Sequence, residues 1–243
     1  MSLQILDCTL RDGVHINKGE FGEGMIKEVI DQLLASGLNF CEAGFIQNCD
    51  YREGTSVFDS IERARQYYDL SKESHITLLL RAGTFDYQKI IGTGFKGVIR
   101  VAFRFSEKDI AFETIKALTE DGIRVFANPI AVTTYTFEAF QNLLYEIKQF
   151  NIIGLAIVDT YGALTIDSGF EYFRICAKTF EDDVIIGLHF HENRFLSQAI
   201  ISQVLSSSVS KGKNFIIDTS LLGMGRAPGN VPTELVVPTY FPN

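Results

Sequence analysis

Eight short apolar runs, each followed by a longer amphipathic or turn-rich stretch, alternate along the whole 243-residue sequence. The runs fall at residues 3–9, 39–45, 76–80, 98–103, 124–131, 154–158, 184–190 and 215–219. Strands buried on both faces read as near-continuous apolar segments, and regular alternation with helices calls for parallel strands joined by crossovers. The helical periodicity predicts helices near 24–35, 56–68, 108–120, 137–149, 167–180 and 194–209, with a weak, short one near Tyr87. In the first of these, Ile26, Val29, Ile30, Leu33 and Leu34 form one stripe and Gly37 supplies a C-terminal cap. An open doubly wound sheet satisfies the same alternation. The count of eight and the chain length favour an α/β fold of one closed (β/α)8 TIM barrel spanning residues 1–243. After Asn230, Pro238 and then Pro242 interrupt the last helical signal. The final covering helix is therefore expected to be truncated to barely one turn, with further residues expected beyond Asn243.

A net charge of −8 argues against nucleic acid as a partner, since that binding needs a basic face. The longest apolar stretch, residues 150–158, is broken by Asn151 and Gly154 and is too short to span a bilayer. Asp7, Arg11 and Asp12 follow the N-terminus too closely for a secretory signal, so the expected location is cytoplasmic and no membrane partner is expected. The four cysteines show no C-x-x-C spacing, and Cys8 and Cys41 sit in apolar runs as expected core residues. A chain this long buries its core without a structural metal, so a metal would serve chemistry.

The strongest chemical signal is His189-Phe190-His191 at the end of the seventh run. Residues i and i+2 of a strand point the same way, and at the C-terminal end of a barrel strand that way can be the catalytic mouth. Two such imidazoles make half of a metal site. The first run ends in Thr9-Leu10-Arg11-Asp12-Gly13-Val14-His15, where Asp12 could complete a two-histidine, one-carboxylate face. An Arg11–Asp12 surface pair is the bland alternative. Glu42 lies within an apolar strand, where a carboxylate is costly unless paired or solvated, and Arg11 is its expected partner. The glycine-rich segment from Gly223 to Asn230 follows the eighth run, where barrels often bind phosphate. Its G-x-G-x-x-x-G spacing is not a dinucleotide fingerprint. His75 begins a strand, at the barrel's stability face, and is given no role.

With these residues in place the chain resembles the metal-dependent lyases and synthases related to hydroxymethylglutaryl-CoA lyase and isopropylmalate synthase, and within them most of all the 4-hydroxy-2-oxovalerate aldolases. The shared markers are Asp7-Cys8-Thr9-Leu10-Arg11-Asp12-Gly13, Glu42, Asn128-Pro129, Asp159-Thr160-Tyr161-Gly162, His189-Phe190-His191 with Asn193, and the Gly223 to Asn230 loop. The resemblance implies that Asp12, His189 and His191 bind a divalent metal, with Asn230 as a further oxygen ligand, and that Arg11 and Glu42 form a charged pair. His15 matches the position of the proposed general base of the pyruvate aldolases. Hydroxymethylglutaryl-CoA lyase carries a cysteine in the last loop, which this chain lacks. The aldolases also carry a C-terminal extension with an active-site tyrosine that nothing here matches.

The expected function is therefore cleavage of a small 4-hydroxy-2-oxo acid to pyruvate and an aldehyde, with Arg11, His15 and Glu42 as catalytic groups. Oxygen-rich coordination with open positions suits Mn or Mg. A Claisen-type synthase joining an acyl-CoA to a 2-oxo acid, a metal hydrolase and a non-catalytic metal-binding barrel stand as alternatives. Oligomeric state is open, homo-oligomers included. Some aldolases of this type work beside an aldehyde dehydrogenase, and no segment here identifies such a partner.

Overall fold

The computed structural model describes residues 2–226 and 228–241. Met1, Ala227, Pro242 and Asn243 lie outside the described residues, and with them the Pro242 helix stop and one step of the glycine-rich loop. Nine strands form, β1 (Ser2–Asp7), β2 (Phe40–Ile46), β3 (Val57–Phe58), β4 (Ile76–Arg81), β5 (Val98–Phe103), β6 (Arg124–Pro129), β7 (Gly154–Asp159), β8 (Ile185–Phe190) and β9 (Asn214–Thr219). All strand pairings are parallel, in the order β1-β9-β8-β7-β6-β5-β4-β2. Pairing of Leu6 with Phe40 and Asp7 with Cys41 then closes β1 onto β2. Eight strands thus make the closed barrel, as the alternation predicts.

The ninth strand was not expected. β1 stops at Asp7, where the chain turns into two single-turn helices, α1 (Thr9–Asp12) and α2 (Val14–Asn17). That leaves the upper edge of β2 unpaired, and β3 fills it by pairing Val57 with Phe45 and Phe58 with Ile46. Gly44 permits the approach, because a Cβ there would collide with the carbonyl of Ser56. The helix expected over 56–68 is accordingly broken into β3, α4 (Ile61–Ala64) and a 3-10 turn at Arg65–Tyr67. Sheet completion overrides local helical periodicity here.

Full helices cover most of the remaining barrel: α3 (Glu23–Ala35), α5 (Lys108–Glu120), α6 (Phe137–Ile147), α7 (Ile166–Thr179) and α8 (Ser197–Ser206). α8 is shorter than the expected 194–209, since a 3-10 turn at Glu192–Arg194 and a left-handed Phe195 (φ 54°) precede it. α9 (Thr233–Tyr240) is longer than the single turn expected and contains Pro238. Tertiary contacts hold it: Thr233 Oγ1 donates to Asp7 Oδ2 at 2.6 Å, and the Tyr240 and Ser202 hydroxyls meet at 2.8 Å. These outweigh the one backbone hydrogen bond that Pro238 removes. Among the described residues no helix is long and apolar enough to cross a membrane.

Inside the barrel, Leu6, Phe40, Val98, Phe126 and Ile216 pack an apolar floor together with Cys8. Cys41 joins the larger core between barrel and helices. His75 sits away from the mouth with Nδ1 2.9 Å from the carbonyl of Asn39. Above the floor the interior turns polar.

Candidate functional site

The inward side chains above the floor form a closed ring of charged and imidazole groups. Arg11 Nε donates to Glu42 Oε2 at 2.6 Å, while its Nη1 contacts Asp12 Oδ1. Arg100 Nη1 donates to the other Glu42 oxygen at 3.2 Å, and Nη2 to Asp218 Oδ2 at 2.5 Å. Asp218 Oδ2 lies 2.9 Å from His189 Nδ1. His189 Nε2 faces His191 Nε2 at 3.2 Å, and His191 Nε2 lies 3.9 Å from Asp12 Oδ2, which closes the circuit. Glu42, Arg100 and Asp218 are almost wholly buried. Such groups are stable in an interior only as mutual partners.

Chain geometry explains why these residues meet. Glu42 and Arg100 follow the inward period of β2 and β5, and His189 and Asp218 that of β8 and β9. Asp12 and Arg11 come from α1, which continues β1 over the mouth. Asn230 arrives on the returning loop: its backbone N–H donates to Gly223 O at 3.0 Å, and Nδ2 donates to Asp12 Oδ2 at 2.5 Å. A Cβ on Gly225 would come within 2.5 Å of Asp12 Oδ2, so this position has room for glycine alone. These Asn230 bonds bring Gly223 and Asn230 together beside Asp12.

Three other motif residues, Asp7, Thr9 and Asp159, are structural. Asp7 accepts from the Thr9 amide at 2.9 Å and from Thr233, and Thr9 Oγ1 accepts from the Leu221 amide at 2.8 Å. These bonds tie the end of β1 to the loop after β9 and to α9. Asp159 accepts the Ala163 and Leu164 amides at 3.0 and 2.9 Å and so shapes the loop after β7.

The ring's electrostatics favour fixed charges. Burial raises the Asp12 carboxyl, and Arg11 with the neighbouring imidazoles overrides that and holds it well below the usual carboxylate range. Burial also opposes the charge on Arg11, while Asp12 and Glu42 keep it protonated. Desolvation, aided by His189, pushes His191 down to about 4, so it is a neutral imidazole near pH 7. At the rim, His15 is half exposed, with Nε2 3.7 Å from Asp12 Oδ1. Burial lowers its pKa as well, with Asp12 pulling the other way.

A cavity of about 350 Å³ opens at the C-terminal ends of the strands, walled by Arg11, Asp12, His15, Asn128, His189 and His191. The seven residues singled out in the sequence are thus brought together. Glu42 does not line this cavity and reaches it only through Arg11. Arg100 and Asp218 were missed. The signal that exposed Glu42, a lone charge inside an apolar strand, is present at both: Val98-Ile99-Arg100-Val101 and Ile216-Ile217-Asp218-Thr219.

The donor set fits a divalent cation. Asp12, His189 and His191 each offer one ligand atom within 4.8 Å of the others. Two imidazole nitrogens aimed at one another need a shared proton or a cation between them. Among the described residues, buried Asn230 Oδ1 has no hydrogen-bond partner, which leaves an acceptor open beside Asp12. Asp218 Oδ2, 2.9 Å from His189 Nδ1, sets a carboxylate behind the ring whose Nε2 faces His191, as carboxylates stand behind many metal-binding histidines.

Known proteins share this framework. A 4-hydroxy-2-oxovalerate aldolase of Rhodococcus jostii is 23% identical over 244 residues, covering 98% of this chain and 67% of the relative. The chain thus spans about two thirds of that relative's length. The Bacillus subtilis HMG-CoA lyase structure superposes with a TM-score of 0.75 at 19% identity, over 98% of this chain and 85% of that one. The carboxyl transferase domain of Rhizobium etli pyruvate carboxylase gives 0.74 at 14% identity, over 100% of this chain and 43% of the other. These two likenesses show the barrel fold. The model of the HMGL-like family matches residues 2–240, and the chain belongs to that family.

Proposed function

We propose that this barrel is a divalent-metal-dependent lyase that cleaves a 4-hydroxy-2-oxo acid to pyruvate and an aldehyde. The observation that carries the proposal is the convergence of Asp12, His189 and His191 beneath Arg11 and His15 in one mouth. Asp12, His189, His191 and the open oxygen of Asn230 would hold the cation, Mn or Mg by the preference of mixed oxygen and imidazole donors. When bound, it supplies Lewis-acid stabilisation of the oxygen that gains charge as the C3–C4 bond breaks.

The chain's own residues supply the rest. Arg11 has Nε on Glu42 and Nη1 on Asp12, which leaves Nη2 to donate to the developing enolate oxygen. Glu42 is a positioning residue for that guanidinium. His15, neutral near pH 7, takes the C4 hydroxyl proton, and the C3–C4 electron pair passes to C3. The C4 carbon leaves as the aldehyde carbonyl, and a proton taken up at C3 gives pyruvate. The resemblance of the whole chain to named aldolases supports the same reaction. An aldehyde dehydrogenase is the class of enzyme that would consume the product.

Pyruvate release from 4-hydroxy-2-oxo acids, coupled to lactate dehydrogenase and run with Mn, with Mg and after chelation, tests the proposal. Metal-dependent pyruvate is the expected result. A folded, Mn-loaded protein that releases none would refute it and favour a synthase or a binding barrel.

A further inference from the structure

The cavity carries more positive charge than the head of a 2-oxo acid needs. In the inner ring, Asp12, Glu42 and Asp218 outnumber Arg11 and Arg100, so a divalent cation leaves that ring with a small positive surplus. An outer tier adds Arg81 and Arg226 to the cavity wall, where Asp12 is the one carboxylate among the described lining residues, and Glu107 pairs with Arg81 from behind. This lies on a protein whose net charge is −8. Such a local reversal of sign concentrates anions at a mouth.

Arg81 is the member of that tier placed to read a substrate. It ends β4 on the same inward period as Leu79, and both line the cavity. In the barrel order β4 stands four strands from β8, directly across the mouth from His189 and His191. Glu107 grips the guanidinium from one side, Oε2 to Nε at 3.1 Å and Oε1 to Nη2 at 2.6 Å, and also accepts the Arg104 amide at 2.8 Å. That grip fixes the fork and leaves its Nη1–Nη2 edge for one more carboxylate; among the described residues Nη1 has no partner. Gln47, the residue that follows the paired strand β2, also lines the cavity. Between this wall and the imidazoles the lining carries no charge, with Leu79, Ala102 and Val158 beside Asn128 and Thr160.

We propose that Arg81 is a specificity-determining residue that binds a second carboxylate at the far end of the substrate, so that the acid cleaved is dicarboxylic and the aldehyde released carries a carboxylate. This rests on the aldolase reading above and deepens it. A charged head site, an uncharged middle and a cationic far wall match a 2-oxo acid whose chain ends in an anion.

A matched pair of probes tests it: 2-oxoglutarate and 2-oxopentanoate have the same chain length and differ only in the terminal carboxylate. Calorimetry on the Mn-loaded protein at low ionic strength should show 2-oxoglutarate binding about 10- to 100-fold more tightly. Arg81→Leu should abolish the preference and leave 2-oxopentanoate affinity unchanged, and Arg81→Gln should do the same should the leucine variant not fold. Equal binding in the unmodified protein, no binding of either probe, or a preference that survives the substitutions would overturn the proposal. Exchange of pyruvate C3 protons for deuterium, followed by NMR, separates the two ideas. Exchange without a preference for 2-oxoglutarate sinks the tail alone, and a preference without exchange sinks the aldolase alone.

Discussion

The Arg52–Glu20 pair, with Nη1 2.7 Å from Oε1, and the Arg11–Glu42 pair, with Nε 2.6 Å from Oε2, are nearly equal in length. The first has side chains 63% and 55% exposed, and the second 7% and 0%. Water solvates the surface pair whether or not it is formed, so contact changes little. The buried pair has no such alternative, and each member depends on the next around the ring. Distance alone therefore says little about what an ion pair does. The surroundings decide whether it decorates the fold or dictates it.

Removing a link from the ring should give the largest effect. Arg100→Met leaves Glu42 and Asp218 facing each other without their shared cation and is expected to cost about 3–5 kcal/mol, read as a lower urea midpoint at unchanged slope. A loss under about 1 kcal/mol would show that water reaches the ring. His15→Ala should leave stability and Mn affinity in place while turnover falls about 100- to 10,000-fold. A full rate in that variant would remove His15 as the base. Gly225→Ala should push on Asp12 and Asn230 and weaken Mn binding about 10- to 100-fold, as disturbance of supporting contacts commonly does. Unchanged Mn affinity would mean that the loop yields. Arg52→Ala is expected to change stability by about 1 kcal/mol or less, shrinking further in salt. A larger loss would erase the contrast between the two pairs.

The barrel was legible in the sequence because strands covered on both faces leave long apolar runs, and a histidine pair at a strand end declares its direction. What was not legible depended on closure. Arg100 finds its acids on β2 and β9, at sequence separations of 58 and 118 residues. Read alone it was one charge in a strand, and it was absorbed into that strand. The stretch around Val57 and Phe58 has helical periodicity, yet it pairs with an edge that exists only because β1 ends early. α9 outlasts its proline because Asp7 and Ser202 hold its two ends, contacts that no local pattern announces.

The barrel's seam gives the candidate site a kinetic meaning. Asp12 and Asn230 are 218 residues apart and meet only where the last strand docks on the first. Contacts of such high sequence separation are among the slowest to form. Metal affinity at the proposed site would therefore report that the ring of strands has closed, and a fragment stopping short of β9 should lack it. A bound cation would in turn act as a clasp: at 100 times its dissociation constant it would hold the two ends of the chain together by about 2.7 kcal/mol. Loss of metal would then be felt first as an opening of the seam.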